Sequence, residues 1–133
     1  MKSIKRVLLV DDDPMTNLIN EKIIHFTKGS SKVGSYLNPG KALDYLKKLV
    51  KNDSSQFPNV LFLDINMPEK NAWQFFDELK KFPKALLKKC KIFILTSSID
   101  QEDIDKSKTY EMVNEFISKP LTVGKLKSIL FSS

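Results

Sequence analysis

Three short apolar runs stand out along the chain, at residues 7–10, 59–63 and 92–95. Each has the length of a β-strand, and each is continuous rather than alternating with polar residues. A strand that is covered on both faces needs such a continuous run, so the pattern indicates a parallel sheet. Residues 32–36 and 115–118 have weaker patterns and are predicted to form outer or shorter strands.

Apolar residues at helical spacing lie between these runs. Asp13 and Pro14 are typical of a helix start, as N-cap and first helical residue, and Asn38 with Pro39 repeats the device. The first helix carries apolar residues at positions 18, 19, 23, 24 and 26. Three further helices are predicted: one from an N-cap at Asn71 to an end at Pro83, a marginal one over residues 100–110, and a last one capped by Thr122.

Five strands that alternate with five helices through short turns define an α/β fold. Right-handed crossovers place helices on both faces, which predicts a doubly wound, five-stranded parallel sheet. A strand order of 2-1-3-4-5 would bring the first and third strands side by side. We expect residues 1–133 to form a single domain, because no linker, repeat or low-complexity tract interrupts the pattern.

Composition narrows the class of protein. The 133 residues are 41% hydrophobic, enough for one core, and the single cysteine, Cys90, excludes a disulfide scaffold or a cysteine-rich metal site. No apolar stretch is long enough to span a bilayer, and the first residues lack the pattern of a signal peptide. A cytoplasmic protein without membrane insertion is therefore expected.

The net charge of +6 raises nucleic acid as a partner, because a basic surface gains from contact with phosphates. Arg6 is the only arginine among the 22 basic residues, and the lysines are dispersed in a way that is typical of solvated helix faces. We therefore expect no direct nucleic-acid partner.

Polar side chains follow the predicted strands, where an open α/β sheet binds its ligands. Asp11 and Asp12 come after the first strand, Asp64 after the third, Thr96 after the fourth and Lys119 after the fifth. Converging carboxylates repel one another and need protonation or a cation. Oxygen ligands without histidine or cysteine favour Mg²⁺ or Mn²⁺, and Lys119 would add a second positive charge beside Asp64. Such a site is suited to a phosphoryl group.

Some polar residues nearby have a simpler interpretation. Asp13 precedes a proline at a helix start, so it is interpreted as an N-cap rather than a metal ligand. Thr96 could also cap a helix. His25 lies late in the first helix and is interpreted as a surface or edge residue, and Cys90 as inert.

Four motifs, taken together, resemble the receiver domain of two-component response regulators over nearly the whole chain. They are LLVDDDP at residues 8–14, LDINMP at 63–68, LTS at 95–97 and SKP at 118–120. The resemblance implies a flavodoxin-like (βα)5 receiver fold that stands alone in the manner of chemotaxis receivers, with no output domain.

The resemblance also implies a role for each acidic residue. Asp64 would be the phosphoacceptor, Asp12 would bind Mg²⁺ directly and Asp11 through water. Asn66 would contribute its backbone carbonyl to the metal. The phosphoryl group would come from a phosphohistidine on a sensor histidine kinase or histidine phosphotransfer protein, and the chain would later hydrolyse its own acyl phosphate.

The remaining site residues would act after phosphorylation. Thr96 would form a hydrogen bond to the phosphoryl group, Lys119 would bridge to it, and Phe116 would be the aromatic switch residue. A downstream protein target would read the change on the face formed by the fifth strand and its two flanking helices.

The sequence departs from the family pattern in two places. Asn71 and Ala72 stand where receivers usually have Asp-Gly, and residues 112–115 replace the usual Gly-Ala pair. These departures keep one alternative open, a receiver-like module that binds partners without phosphorylation. A haloacid-dehalogenase-like phosphatase fits less well because position 66 is Asn rather than a second acid, and a flavodoxin-like cofactor binder lacks a phosphate loop.

Overall fold

The computed structural model describes residues 6–28, 32–66, 72–97 and 100–130. Its five strands are β1 (Arg6–Val10), β2 (Lys32–Tyr36), β3 (Val60–Leu63), β4 (Lys91–Thr96) and β5 (Val113–Ser118). Its helices are α1 (Pro14–Lys28), α2 (Pro39–Asn52), α3 (Ala72–Leu79), α4 (Lys84–Lys89), α5 (Gln101–Ser107) and α6 (Val123–Leu130), with a 3-10 turn at Ser54–Gln56.

The strands form one parallel sheet in the order β2-β1-β3-β4-β5, which confirms the predicted fold class and strand order. The apolar strands β1, β3 and β4 are central and almost wholly buried, whereas β2 and β5 are partly exposed edges. Val10 pairs with Leu63, and Leu63 pairs with Ile94. The carboxyl ends of the three central strands therefore lie at the same edge of the sheet.

Two apolar cores cover the two faces of the sheet, because successive side chains of a strand point to opposite faces. Leu8 and Leu61 pack in one core with side chains from α2 and α3. Leu9 and Phe62 pack in the other with side chains from α1 and α6. This two-sided burial explains why the central strands are continuous apolar runs.

The predicted helix starts are mostly visible as side-chain caps. Asp13 accepts from the backbone N–H of Met15, and Asn38 accepts from two backbone N–H groups at the start of α2. Asp100 caps α5, and Thr122 accepts from the N–H of Lys125 in α6. Asn71, the predicted cap of α3, lies outside the described residues, as do Met67, Pro68 and Ser98.

The expectation of five helices is wrong by one short helix. In the described part of the chain, α3 ends at Leu79 and α4 follows after Pro83, so two helices join β3 to β4. The helix α4 has six residues, too few for a 3.6-residue period to be recognised among its lysines.

The helix α1 has its buried face at an unexpected position. Ile24 is fully buried, but Leu18, Ile19 and Phe26 are 46%, 50% and 81% exposed. The other two buried residues on this helix are the asparagines at positions 17 and 20, which lie on the same face as Ile24 at i, i+3 and i+7 spacing. The end of α1 nearest the carboxyl edge of the sheet therefore presents amide groups, not apolar side chains, to the interior.

Among the residues that the structure describes, none of the helices has the length and apolar composition of a membrane span.

An extra residue interrupts the pairing of β4 with β5. Ile92 pairs with Val113 and Phe93 pairs with Glu115, so Asn114 has no partner position on β4. The side-chain Oδ1 of Asn114 instead accepts from the backbone N–H of Ile92 at 2.9 Å. The asparagine side chain thus replaces the backbone acceptor that the irregular register removes.

We expect Asn114→Ala to lower the free energy of unfolding by about 1–3 kcal/mol, because the N–H of the buried Ile92 loses its acceptor. Asn114→Asp keeps an acceptor oxygen and should change it by less than about 1 kcal/mol. Urea unfolding of the three proteins measures the difference, and equal losses for both variants would contradict this role of the amide oxygen.

Candidate functional site

The site lies at the carboxyl edge of the sheet, where backbone hydrogen bonds fix the residues that follow the strands. The N–H of Asp11 donates to Tyr36 O at 3.1 Å, and the N–H of Asp64 donates to Val10 O at 3.0 Å. The N–H of Lys119 donates to Thr96 O at 2.9 Å. The parallel ladder thus continues one residue past the strands and holds these residues in adjacent rows.

Three carboxylates meet at this edge. Asp11, Asp12 and Asp64 each offer an oxygen atom, and these oxygens all lie within 4.8 Å of one another. Asp11 and Asp64 are buried, at 5% and 4% exposed, whereas Asp12 is exposed. The cluster therefore has two anchored carboxylates and one that faces solvent.

Lys119 lies between the two buried carboxylates. Its Nζ is 2.5 Å from Asp11 Oδ2 and 2.8 Å from Asp64 Oδ2. One ammonium group therefore neutralises part of the negative charge of two acids that follow different strands. The peptide bond between Lys119 and Pro120 is cis.

The other oxygen of each buried carboxylate accepts from a backbone N–H two residues later. Asp13 N donates to Asp11 Oδ1 at 2.9 Å, and Asn66 N donates to Asp64 Oδ1 at 2.8 Å. Both acids thus start a tight turn as well as contributing to the cluster. The side chain of Asn66 is exposed, so its contribution to the geometry described here is through the backbone.

Burial and the neighbouring charges shift the pKa values of Asp11 and Lys119 in opposite directions. Burial raises the pKa of Asp11 above 3.8, and the hydrogen bond from Lys119 opposes that rise without cancelling it. Burial lowers the pKa of Lys119, but its hydrogen bonds to Asp11 and Asp64 outweigh burial and raise that pKa above 10.5. Lys119 therefore compensates the burial of Asp11 only in part, and a further cation at the cluster would stabilise the ionised form of Asp11.

Asp13 caps α1 and is not a member of the acidic cluster, as predicted. Its Oδ1 accepts from Met15 N at 3.0 Å, and its Oδ2 accepts from the Thr16 hydroxyl at 2.8 Å. The hydrogen bond from Thr16 contributes most to lowering the pKa of Asp13.

Thr96 and Phe116 lie on the neighbouring strands β4 and β5. Thr96 is the last residue of β4 and is fully buried, and it pairs with Ser118. Phe116 pairs with Ile94 and packs, half-buried, against the core that contains α2 and α3. Their predicted roles in phosphoryl binding and switching remain predictions.

Sequence reasoning missed Asn17 and Asn20, which bury polar side chains beneath the cluster. The Nδ2 of Asn17 donates to the backbone oxygen of Asp11 at 3.0 Å and so holds α1 to the end of β1. The sequence contains a signal, since Asn17, Asn20 and Ile24 share one helix face, but a pattern of apolar residues alone does not include the two asparagines.

His25 and Cys90 are not members of the acidic cluster. His25 is partly exposed, and its Nε2 lies 3.8 Å from Glu21 Oε1 on the same helix. Cys90 is buried in the core on the α2 and α3 face, and burial raises the pKa of its thiol to about 12, in agreement with an inert cysteine.

A family model of the response regulator receiver domain matches residues 7–131. The chain therefore belongs to this family.

Two relatives show the extent of the similarity. Response regulator Rcp1 of Synechocystis is 26% identical over 116 residues, which are 86% of this chain and 76% of Rcp1. The probable C4-dicarboxylate response regulator DctR of Bacillus subtilis is 25% identical over 125 residues. Those residues are 94% of this chain but 50% of DctR, so the chain spans about half the length of that relative.

Solved structures share the fold. A two-component response regulator from Cytophaga hutchinsonii has a TM-score of 0.85 and 31% identity, over 97% of this chain and 96% of that one. The Mn²⁺-bound form of Rcp1 has a TM-score of 0.78 at 22% identity, over 97% and 96% of the two chains.

We expect Lys119→Met to lower the free energy of unfolding near neutral pH by about 3 kcal/mol, because two buried carboxylates lose their shared cation. The pKa of Asp11 is raised in the folded protein, so Asp11 takes up a proton as the pH falls. The stability lost in Lys119→Met should therefore become smaller at low pH, where Asp11 is neutral. Toward high pH, the contribution of Lys119 should persist up to pH 10.5 and vanish as the pH rises through its raised pKa.

Urea unfolding at about pH 4, 7 and 11 tests this dependence. Lys125→Met is the control, because it removes an exposed ion pair with Glu115 and should change the free energy of unfolding by no more than about 1 kcal/mol. A Lys119→Met effect that is the same at all three pH values would contradict the assignment.

Proposed function

We propose that the chain is the phosphoacceptor receiver of a two-component phosphorelay and accepts a phosphoryl group on Asp64. The observation that carries the proposal is the contact of Lys119 with both Asp11 and Asp64, with Asp12 within 4.8 Å of them. A carboxylate nucleophile, additional acids for a metal and a fixed ammonium are the groups that phosphoryl transfer requires.

The residues present fit a divalent cation. Receivers of this family bind a divalent metal at an acidic pocket, and the similar Rcp1 structure is that of a Mn²⁺-bound form. Here Asp11, Asp12 and Asp64, with the backbone carbonyl of Asn66, would hold Mg²⁺ or Mn²⁺ through oxygen atoms alone. The metal, when bound, supplies positive charge for the phosphoryl oxygens.

The chemical step uses the carboxylate of Asp64. One of its oxygens attacks the phosphorus of a phosphohistidine, an O–P bond forms, and the N–P bond breaks with its electron pair left on the imidazole nitrogen. Lys119 already lies at hydrogen-bond distance from Asp64 and stabilises the negative charge of the phosphoryl oxygens during transfer.

The phosphorylated state would be read through Thr96 and Phe116. The Thr96 hydroxyl would donate to a phosphoryl oxygen, and Phe116, on the neighbouring strand β5, would follow by turning further inward. The population would shift toward a surface near β5 and its flanking helices that binds a downstream protein.

The donor protein would dock on an apolar patch beside the site, formed by Met15, Leu18 and Ile19. These side chains are 46–59% exposed and lie in the first turns of α1, directly after the acidic turn. Receivers of this family interact with histidine kinases or histidine phosphotransfer proteins. An exposed apolar patch next to the acceptor is suited to a helix of such a donor.

Incubation with acetyl phosphate and Mg²⁺ should add a phosphoryl group of about 80 Da to the intact protein, as measured by mass spectrometry. Asp64→Asn and EDTA should each abolish the adduct. Asp13→Asn is the matched control, because it changes a neighbouring acid that caps α1, and asparagine caps equally well.

An adduct that survives in Asp64→Asn would refute the assignment of the acceptor. Failure of the wild-type protein to form an adduct, or to bind beryllofluoride as a phosphoryl mimic, would favour the alternative of a binding module that acts without phosphorylation.

Ile19→Glu should slow transfer from a phosphohistidine protein at least about tenfold while leaving labelling by acetyl phosphate unchanged, because only the protein donor needs the patch. The donor is the phosphotransfer protein that labels the wild type fastest in a panel. Phe26→Glu is the control, since Phe26 is 81% exposed but lies seven residues further along α1. Equal slowing by the two variants would show that docking does not depend specifically on this patch.

A further inference from the structure

A small cavity lies between α1 and the sheet, on the protein side of the acidic cluster. Its volume is about 10 Å³, and its polar lining consists of Asp11, Asn17, Asn20 and Asp64. The rest of the lining is apolar and belongs to β1, β3 and β4. The cavity is therefore lined by both buried acids of the cluster.

Asn17 brings an unpartnered acceptor to this cavity. The residue is 3% exposed, and its Oδ1 has no hydrogen-bond partner among the described residues. The orientation of the amide is set by the bond from Nδ2 to Asp11 O, because the reversed amide would place two oxygens against each other. Buried polar atoms in native proteins are almost always satisfied, so this oxygen requires a donor.

The size and chemistry of the cavity select the donor. About 10–15 Å³ is the space that one water molecule needs, and a buried water needs two to four polar partners. Asn17 Oδ1 and the carboxylates of Asp11 and Asp64 can all accept, and each carboxylate oxygen can take a second hydrogen bond. A cation is disfavoured in this cavity because half of its lining is apolar.

We propose that this cavity binds one ordered water molecule, which donates one hydrogen to Asn17 Oδ1 and the other to a carboxylate of the Asp11 and Asp64 pair. Asn17 then fixes Asp11 from two directions, directly at its backbone oxygen and through the water at the carboxylate pair. Asn17 is thus a positioning residue for the metal ligands, acting from behind the site.

A high-resolution crystal structure of the wild-type protein tests the water itself. The expected result is density for a single water within hydrogen-bond distance of Asn17 Oδ1 and of a carboxylate oxygen of Asp11 or Asp64. A cavity without density, or an Asn17 Oδ1 that accepts from a protein donor, would overturn the proposal.

Mg²⁺ titration by calorimetry tests the positioning role, which rests on the proposed function. Asn17→Leu removes the acceptor and the bond to Asp11 O, so Mg²⁺ should bind about tenfold more weakly. Asn17→Ser keeps a hydroxyl that can bond to water, and its Mg²⁺ affinity should stay within about threefold of the wild type.

Ile24→Val is the matched control, since Ile24 is fully buried on α1 but does not line the cavity. It should lower the melting temperature without changing the Mg²⁺ affinity. The positioning role would be overturned if Asn17→Leu bound Mg²⁺ as tightly as the wild type does. It would also be overturned if Ile24→Val weakened Mg²⁺ binding as much as Asn17→Leu does.

A wild-type protein that binds no Mg²⁺ would overturn the proposed function together with the positioning role. The crystal structure of the wild-type protein tests the water site independently of Mg²⁺ binding. This test does not require Asn17→Leu to fold.

Discussion

The ion-pair contact of Lys119 with Asp11 and Asp64 is the interaction on which the site depends. Two buried carboxylates that follow neighbouring strands lie side by side, and a lysine after a third strand places its ammonium group between them. The contact ties the ends of β1, β3 and β5 together at one edge of the sheet. It also leaves Asp12 exposed to solvent on the open side of the cluster.

The fold provides this contact through the simplest property of a parallel sheet. All five strands run parallel, so the polar residues that follow β1, β3 and β5 arrive at a common site. The ladder continues through the N–H groups of Asp11, Asp64 and Lys119, which fixes the backbone at the residues that matter most. Rigidity at the cluster therefore comes from the sheet, not from a loop.

The two faces of helix α1 near the site differ in burial and polarity. Its inner face carries Asn17 and Asn20, which bury amide groups against the end of the sheet. Its outer face carries the apolar patch of Met15, Leu18 and Ile19, which are among the few large apolar residues exposed in the described part of the chain. The amphipathic pattern at this end of α1 is therefore inverted relative to that of an ordinary core helix.

Most of the fold was determined by the sequence itself, because continuous apolar runs, helix caps and strand-end acids are local signals. These signals located the five strands, the cap at Asp13 and the convergence of Asp11, Asp12 and Asp64. Only the tertiary structure decided that Leu18 and Phe26 face solvent while Asn17 is buried, since burial depends on how a helix is rotated against the sheet. The same holds for α4, which is too short to show a period, and for the choice of Asn114 as a substitute acceptor at an irregular register.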